Sequence, residues 1–131
     1  MTNKEKQLFV KALCGYLPYG IMCRIDHDPE GKYNIGIDDE RFIDGRIASV
    51  CHENEQIFVY ENKDYPYSPE EIRPYLRPMS SMSESERKTH INYINRYTNT
   101  AMFEWMNSRH FDYYGLIEKG LALEAPEGMY N

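Results

Sequence analysis

Long apolar runs are missing from this chain. No stretch approaches the ~20 consecutive apolar residues that a membrane-crossing helix needs. Met1–Lys6 carries lysines but is not followed by an apolar segment of signal-peptide length. Cysteine is scarce: Cys14, Cys23 and Cys51 are odd in number and show no CxxC spacing. That argues against a disulfide scaffold and suits a reducing cytoplasm, with the three thiols expected to act as small buried hydrophobes. Positive charge is in deficit, with a formal net charge of −6 and no strong cluster of Lys or Arg. A phosphate backbone calls for such a cluster, so nucleic acid is a disfavoured partner. Signatures of chemistry are also absent. There is no GxSxG elbow, no Gly-rich phosphate loop, and no HxH or HExxH pair among His27, His52, His90 and His110.

What is present points to a folded domain. The 131 residues are 41% apolar and 14% aromatic, and twelve of the aromatic residues are tyrosine. A chain of this size buries about two thirds of its unfolded surface, enough for a core without disulfides or metal. Tyrosine buries a ring while keeping a polar tip, so the core boundary is expected to be tyrosine-rich. The negative mean hydropathy of −0.72 is therefore no sign of disorder. Acidic charge concentrates in the middle: residues 21–64 carry eleven acidic and five basic groups, against a net +2 over residues 1–20. A solvated acidic face accounts for that segment.

The periodicity predicts a helix over 3–13 on Leu8, Phe9, Ala12 and Leu13, stopped at Cys14-Gly15. An extended connector containing Pro18 follows. Alternation of Ile21, Cys23 and Ile25 predicts a strand, and Asp28-Pro29-Glu30-Gly31 a turn. Tyr33, Ile35 and Ile37 predict a second strand, broken at Asp38-Asp39. Asp44-Gly45 predicts a tight hairpin, and Ile47–Cys51 a further strand. His52–Glu55 reads as a turn, Ile57–Tyr60 as a strand and Asn62–Tyr67 as a loop. Ser68-Pro69-Glu70-Glu71 has the form of a capping box opening a short helix that Pro74 stops, with a last strand at Tyr75–Arg77. Ser83 opens a long helix to about Ser108, whose stripe Ile91, Ile94, Thr98, Ala101, Met102 and Trp105 is expected to pack on the sheet. Asp112 and Gly120 punctuate a final short helix over Tyr113–Lys119, followed by a tail to Asn131.

Few residues invite a chemical reading. Asp26, Asp28, Glu30 and Gly31 match the first half of a calcium loop, but Ile37 stands where the bidentate Glu is required, so an acidic hairpin turn is expected. His110 and Asp112 form the one pair that could serve acid–base chemistry. His110 as a cap packed on Trp105 is the preferred reading. Arg73, Arg77, Arg87, Lys88 and Arg96, with nearby tyrosines, are the residues a nucleic-acid reading would use. No catalytic, cofactor-binding or metal-ligating residue is assigned.

Three segments carry a resemblance: Leu13-Cys14-Gly15-Tyr16-Leu17-Pro18-Tyr19-Gly20, Arg73-Pro74-Tyr75-Leu76-Arg77-Pro78-Met79-Ser80-Ser81-Met82, and His110-Phe111-Asp112-Tyr113-Tyr114-Gly115 continuing to Tyr130. Together they resemble a group of short uncharacterised proteins of gut Bacteroidales genomes, often within phage-like or other mobile elements. The resemblance implies no activity and carries over no site residue.

The expected architecture is α+β: a small antiparallel sheet or SH3-like barrel over residues 20–79, preceded by a helix and connector over 1–19 and followed by a helical segment and tail over 80–131, all in one domain. The expected role is that of a non-enzymatic protein-interaction module or mobile-element accessory protein in the cytoplasm, with another protein as partner, no membrane and no cofactor. A nucleic-acid-associated protein and a small hydrolase around His110 and Asp112 are the alternatives.

Overall fold

The computed structural model describes residues 1–36 and 40–130. Thr2 opens helix α1 (Asn3–Tyr16) through a reciprocal capping box with Glu5. Its buried face is Phe9, Val10, Ala12, Leu13 and Tyr16. The helix runs past Gly15 because Gly15 is used for proximity: an added Cβ would lie 3.1 Å from Asn107 Nδ2. Leu17–Tyr19 then makes one turn of 3-10 helix, not the extended connector that Pro18 suggested.

Strands β1 (Met22–Asp26), β2 (Phe42–Cys51), β3 (Gln56–Val59), β4 (Asn62–Tyr67), β5 (Ile72–Leu76) and β6 (Leu123–Glu124) form one sheet in the order β4-β3-β2-β1-β5-β6. Neighbours are antiparallel except β5 and β6. Among the described residues the sheet is open, with β4 and β6 as its edges, so the architecture is α+β with an open sheet. The barrel alternative gains no closing pair. β6 comes from the tail, so residues 80–131 complete the sheet of residues 20–79. One apolar core joins α1, the inner faces of β1, β2, β3 and β5, and Leu116, Leu121 and Ala122.

Several expectations are corrected. Asp44-Gly45 is not a turn: it lies mid-strand in β2, opposite Arg24 and Cys23. Gly45 is there because a Cβ would meet Glu61 Oε1 at 2.9 Å and Ile25 Cδ1 at 3.2 Å. Asn62–Tyr67 is a strand, β4, whose edge position tolerates Pro66. Tyr33 and Ile35 lie outside any strand because their amides donate to the Asp28 carboxylate, at 3.1 Å each. Ile37, Asp38 and Asp39 lie outside the described residues. The Ser68 helix is a single 3-10 turn, Pro69–Glu71. The Glu71 carboxylate holds it by accepting from Ser68 N (3.1 Å) and Oγ (3.2 Å). Pro74 does not end that turn; it sits within β5, opposite Cys23.

The long helix is two helices, α2 (Glu84–Arg96) and α3 (Asn99–Ser108). Tyr97 is extended, and Thr98 Oγ1 caps α3 by accepting from Ala101 N at 3.2 Å. Tyr113–Lys119 forms successive turns instead of a helix, with Gly115 at φ +72° breaking the run. Cys23 is buried as expected and its thiol is pushed up to about 12, chiefly by burial. Cys14, by contrast, is exposed.

Candidate functional site

His110 and Asp112 share a neighbourhood but not a task. His110 lies just past α3 in left-handed backbone, φ +62°, and is 6% exposed. Its Nε2 is 2.7 Å from Gly20 O. Its ring lies flat on Tyr130, with centroids 3.6 Å apart and 4° between planes. Burial holds the imidazole below its usual range, although hydrogen bonds to Gly20 and Tyr19 backbone oppose that in part. The Asp112 carboxylate accepts from Leu116 N (2.8 Å) and Ile117 N (2.9 Å), tying the following turns together. Each group is occupied by backbone or ring, and among the described residues neither is hydrogen-bonded to a nucleophilic side chain.

The tail explains why these residues cluster. Tyr130 Oη accepts from Met22 N at 3.0 Å and donates to Tyr75 O at 2.7 Å. It bridges β1 and β5 just beyond the Cys23–Pro74 pair where their ladder ends. Arg77 N donates to His110 O (2.7 Å), Asp112 N to Arg77 O (2.8 Å) and Ala125 N to Leu76 O (2.8 Å). Tyr16 Oη donates to Phe111 O. The aromatic segment is therefore stitched to the body, with Phe111, Leu116 and Leu121 buried. Trp105 is only half-buried, against Phe111, Tyr93 and His90. Against expectation, His110 is not a face packed on Trp105.

The acidic loop is also internally committed. The Asp26 carboxylate takes Arg41 Nε (2.9 Å) and Nη2 (3.1 Å) and the Asp28 amide (2.9 Å). Burial pushes that carboxyl up, but the Arg41 guanidinium and the Asp28 N–H more than offset it, and the net shift is downward. Among the described residues, no group of three or more His, Cys, Asp or Glu converges as a metal shell. His27 and His52 line separate surface depressions.

The five basic residues of the nucleic-acid reading are divided between β5 with its following residue and α2. Arg73 is on β5. Arg77 is neutralised by a two-pronged pair with Glu86, at 2.9 and 2.8 Å. That pair, with burial opposing it, draws the Glu86 carboxyl down to about 2. Arg87, Lys88 and Arg96 are exposed on α2. A cleft of about 590 Å³ lies between Arg77, the start of α2 and the tail segment Glu124–Tyr130, and among the described residues it holds no oriented nucleophile–base pair.

The surface that the sequence reading missed is α2 itself. Its thirteen residues include none that is buried. Glu86, Thr89, His90 and Tyr93 turn toward the body, and the rest face away. Ile91 is 55% and Ile94 58% exposed, and Tyr97 at the end of the helix is exposed too. The expected stripe thus splits. Its Trp105 end packs inward and its Ile91–Ile94 end points to solvent, because the break at Tyr97–Thr98 removes the common axis. The run Thr98-Asn99-Thr100, whose side chains compete with helical hydrogen bonds, is the sequence signal for that break.

No helix among the described residues is long and apolar enough to cross a membrane. No protein-family model, curated protein or solved structure matches this chain.

Proposed function

We propose that the protein is a non-enzymatic interaction module whose partner-binding surface is the outward side of α2 around Ile91 and Ile94. One observation carries this reading. A helix with a complete capping box, Ser83 with Glu86, exposes two isoleucines at a helical spacing of three, and none of its residues is fully buried. Isoleucine exposed by more than half forgoes about 1 kcal/mol or more of burial. Neighbouring apolar side chains left in water together mark a binding face more often than single ones do. The site chemistry favours no catalytic alternative, since His110, Asp112 and Asp26 are each bound to structural groups. The free thiols of Cys14, Cys23 and Cys51 accord with a cytoplasmic setting. An accessory role in a mobile element is what the sequence resemblance implies.

The test compares wild type with the double substitution Ile91→Asp, Ile94→Asp in affinity capture from the native host. Both proteins are first shown to be equally folded by circular dichroism. A partner retained by wild type and lost by the variant is expected. An identical bound set for both refutes α2 as the binding face.

A further inference from the structure

A single side chain anchors residues 126–130. Pro126, Glu127 and Gly128 are exposed, and no side chain of the segment joins either apolar core. Its own backbone bond, Met129 N to Pro126 O at 3.1 Å, is internal. The last backbone bond to the sheet is made just before it, from Ala125 N to Leu76 O. Among the described residues, the hydrogen bonds from 126–130 to the body all pass through the Tyr130 hydroxyl, which accepts from Met22 N and donates to Tyr75 O. The Tyr130 ring adds the stack on His110.

The same segment is a wall. The cleft beside Arg77 has residues 124–130 on one side, and Arg77, Pro78, Arg109 and the start of α2 on the other. A segment joined at Ala125 and held at Tyr130 swings clear of that cleft once Tyr130 lets go. The sheet can stay paired meanwhile, because the rungs from Cys23–Pro74 to Ile25–Ile72 lie inboard of the latch.

His110 sits beneath the latch, with Tyr130 flat on one face of its ring and Gly20 O at 2.7 Å from Nε2. The Gly20 and Tyr19 carbonyls favour an imidazolium there; burial and the Arg77 charge disfavour it, and they prevail. Among the described residues no carboxylate pairs with His110. Its chain neighbours do not serve: Asp112 is taken by the Leu116 and Ile117 amides, and Arg109 is exposed. Burial pushes the Tyr130 phenol up, so the latch itself stays neutral. The Tyr130 ring face attracts a cation, and release requires that desolvation and Arg77 together outweigh that attraction. Moving Tyr130 away returns water to the imidazole. A group that binds its proton more tightly in an open form than in a closed one drives opening as pH falls.

We infer that residues 126–130 form a strap hinged after Ala125, with Tyr130 as its latch, and that a proton taken up by His110 releases it and widens the cleft. The window opens below about pH 6.5, the ordinary histidine value. This device does not rest on the reading of α2.

The test is amide exchange by NMR on the full chain, with the His110 ring titrated alongside. The Met22 amide, which Tyr130 holds, should exchange faster than the amides in the middle of β1 at every pH. Corrected for intrinsic rate, its protection should fall as pH drops through the histidine range. The factor should match the ratio of His110 proton affinities in Tyr130→Ala and wild type, since the coupling is reciprocal. His110→Asn should remove the pH dependence. Tyr130→Phe, which keeps the ring, should speed Met22 exchange at neutral pH and serves if Tyr130→Ala does not fold. Met22 exchanging no faster than the middle of β1 would mean that the strap opens only with the whole domain. That result, a pH dependence unchanged in His110→Asn, or a wild-type His110 that titrates at or above the ordinary value overturns the inference.

Discussion

Replacing Tyr130 by Phe deletes one oxygen, and the structure says what that oxygen does. It accepts from Met22 N and donates to Tyr75 O, joining β1 to β5 where their own hydrogen bonds stop. The β1–β5 ladder ends at the Cys23–Pro74 pair, so the tyrosine hydroxyl satisfies Met22 N and Tyr75 O in place of a further rung. Without it, a partly buried amide and carbonyl both lose a partner. An unsatisfied buried group costs about 1–3 kcal/mol. Partial water access argues for the lower half of that range, so Tyr130→Phe should cost about 1.5–2 kcal/mol. For a domain of this size that corresponds to a drop in Tm of roughly 5–10 °C. Tyr130→Ala also removes the ring that lies on His110 and should cost about 3–5 kcal/mol. Ending the chain at Gly120 removes in addition buried Leu121 and Ala122 and strand β6. That loss approaches the 5–15 kcal/mol total typical of a domain. Urea denaturation followed by Trp105 fluorescence measures all three. A Tyr130→Phe midpoint that matches wild type, with the same slope, would refute the bridging role and with it the account of the tail.

The remaining predictions concern charge, close approach and surface. The Glu86 carboxyl is drawn from 4.5 to about 2 in the folded state, so its contribution is full above about pH 4.5 and disappears as pH falls toward 2. The stability gap between wild type and Glu86→Gln should therefore close over that window, and a constant gap in pH-dependent urea midpoints counts against the Arg77 pair. His110 is held below 6.5 when folded, so the unfolded chain takes up its proton first and stability should fall as pH drops below about 6.5. His110→Asn, which tolerates the left-handed backbone, should flatten that slope in the same assay. Gly45→Ala should cost about 1–2 kcal/mol through overpacking against Ile25 and displacement of Glu61, a cost that calorimetry should find reduced when Glu61 is first changed to Ala. Ile91→Asp and Ile94→Asp should each change stability by less than about 0.5 kcal/mol, as expected of exposed positions; a larger loss in thermal melts would show that α2 packs where it is described as free.

Much of the fold could be read locally. α1, β1, β3, the turns at Asp28–Gly31 and His52–Glu55, and the Ser83 cap all follow from period and punctuation within a few residues. The failures share a cause: the deciding partner is distant in sequence. Asp44-Gly45 has turn chemistry, yet Gly45 answers to Ile25 and Glu61. Asn62–Tyr67 has no alternation because as an edge strand it buries only Tyr67. β6 is two residues long and exists only because β5 lies beside it. The candidate sites divide the same way. His110 and Asp112 stood out because they are close in sequence, and each is held by backbone groups of its own. Arg73 stands out in the sequence only as one of five scattered basic residues, and strand register is what sets it opposite Arg24.

The helical excursion begins and ends at one place. Arg77 bridges Phe111, so the chain leaves the sheet after residue 77, makes α2 and α3, and returns beside its point of departure. An excursion anchored in this way behaves as a cassette. Its length can change at little entropic cost, since closing a loop twice as long costs only about 0.6 kcal/mol more. Substitutions on its outer face leave the sheet's register unaltered. The outer face of α2 can therefore vary in sequence while the sheet and the tail remain as they are.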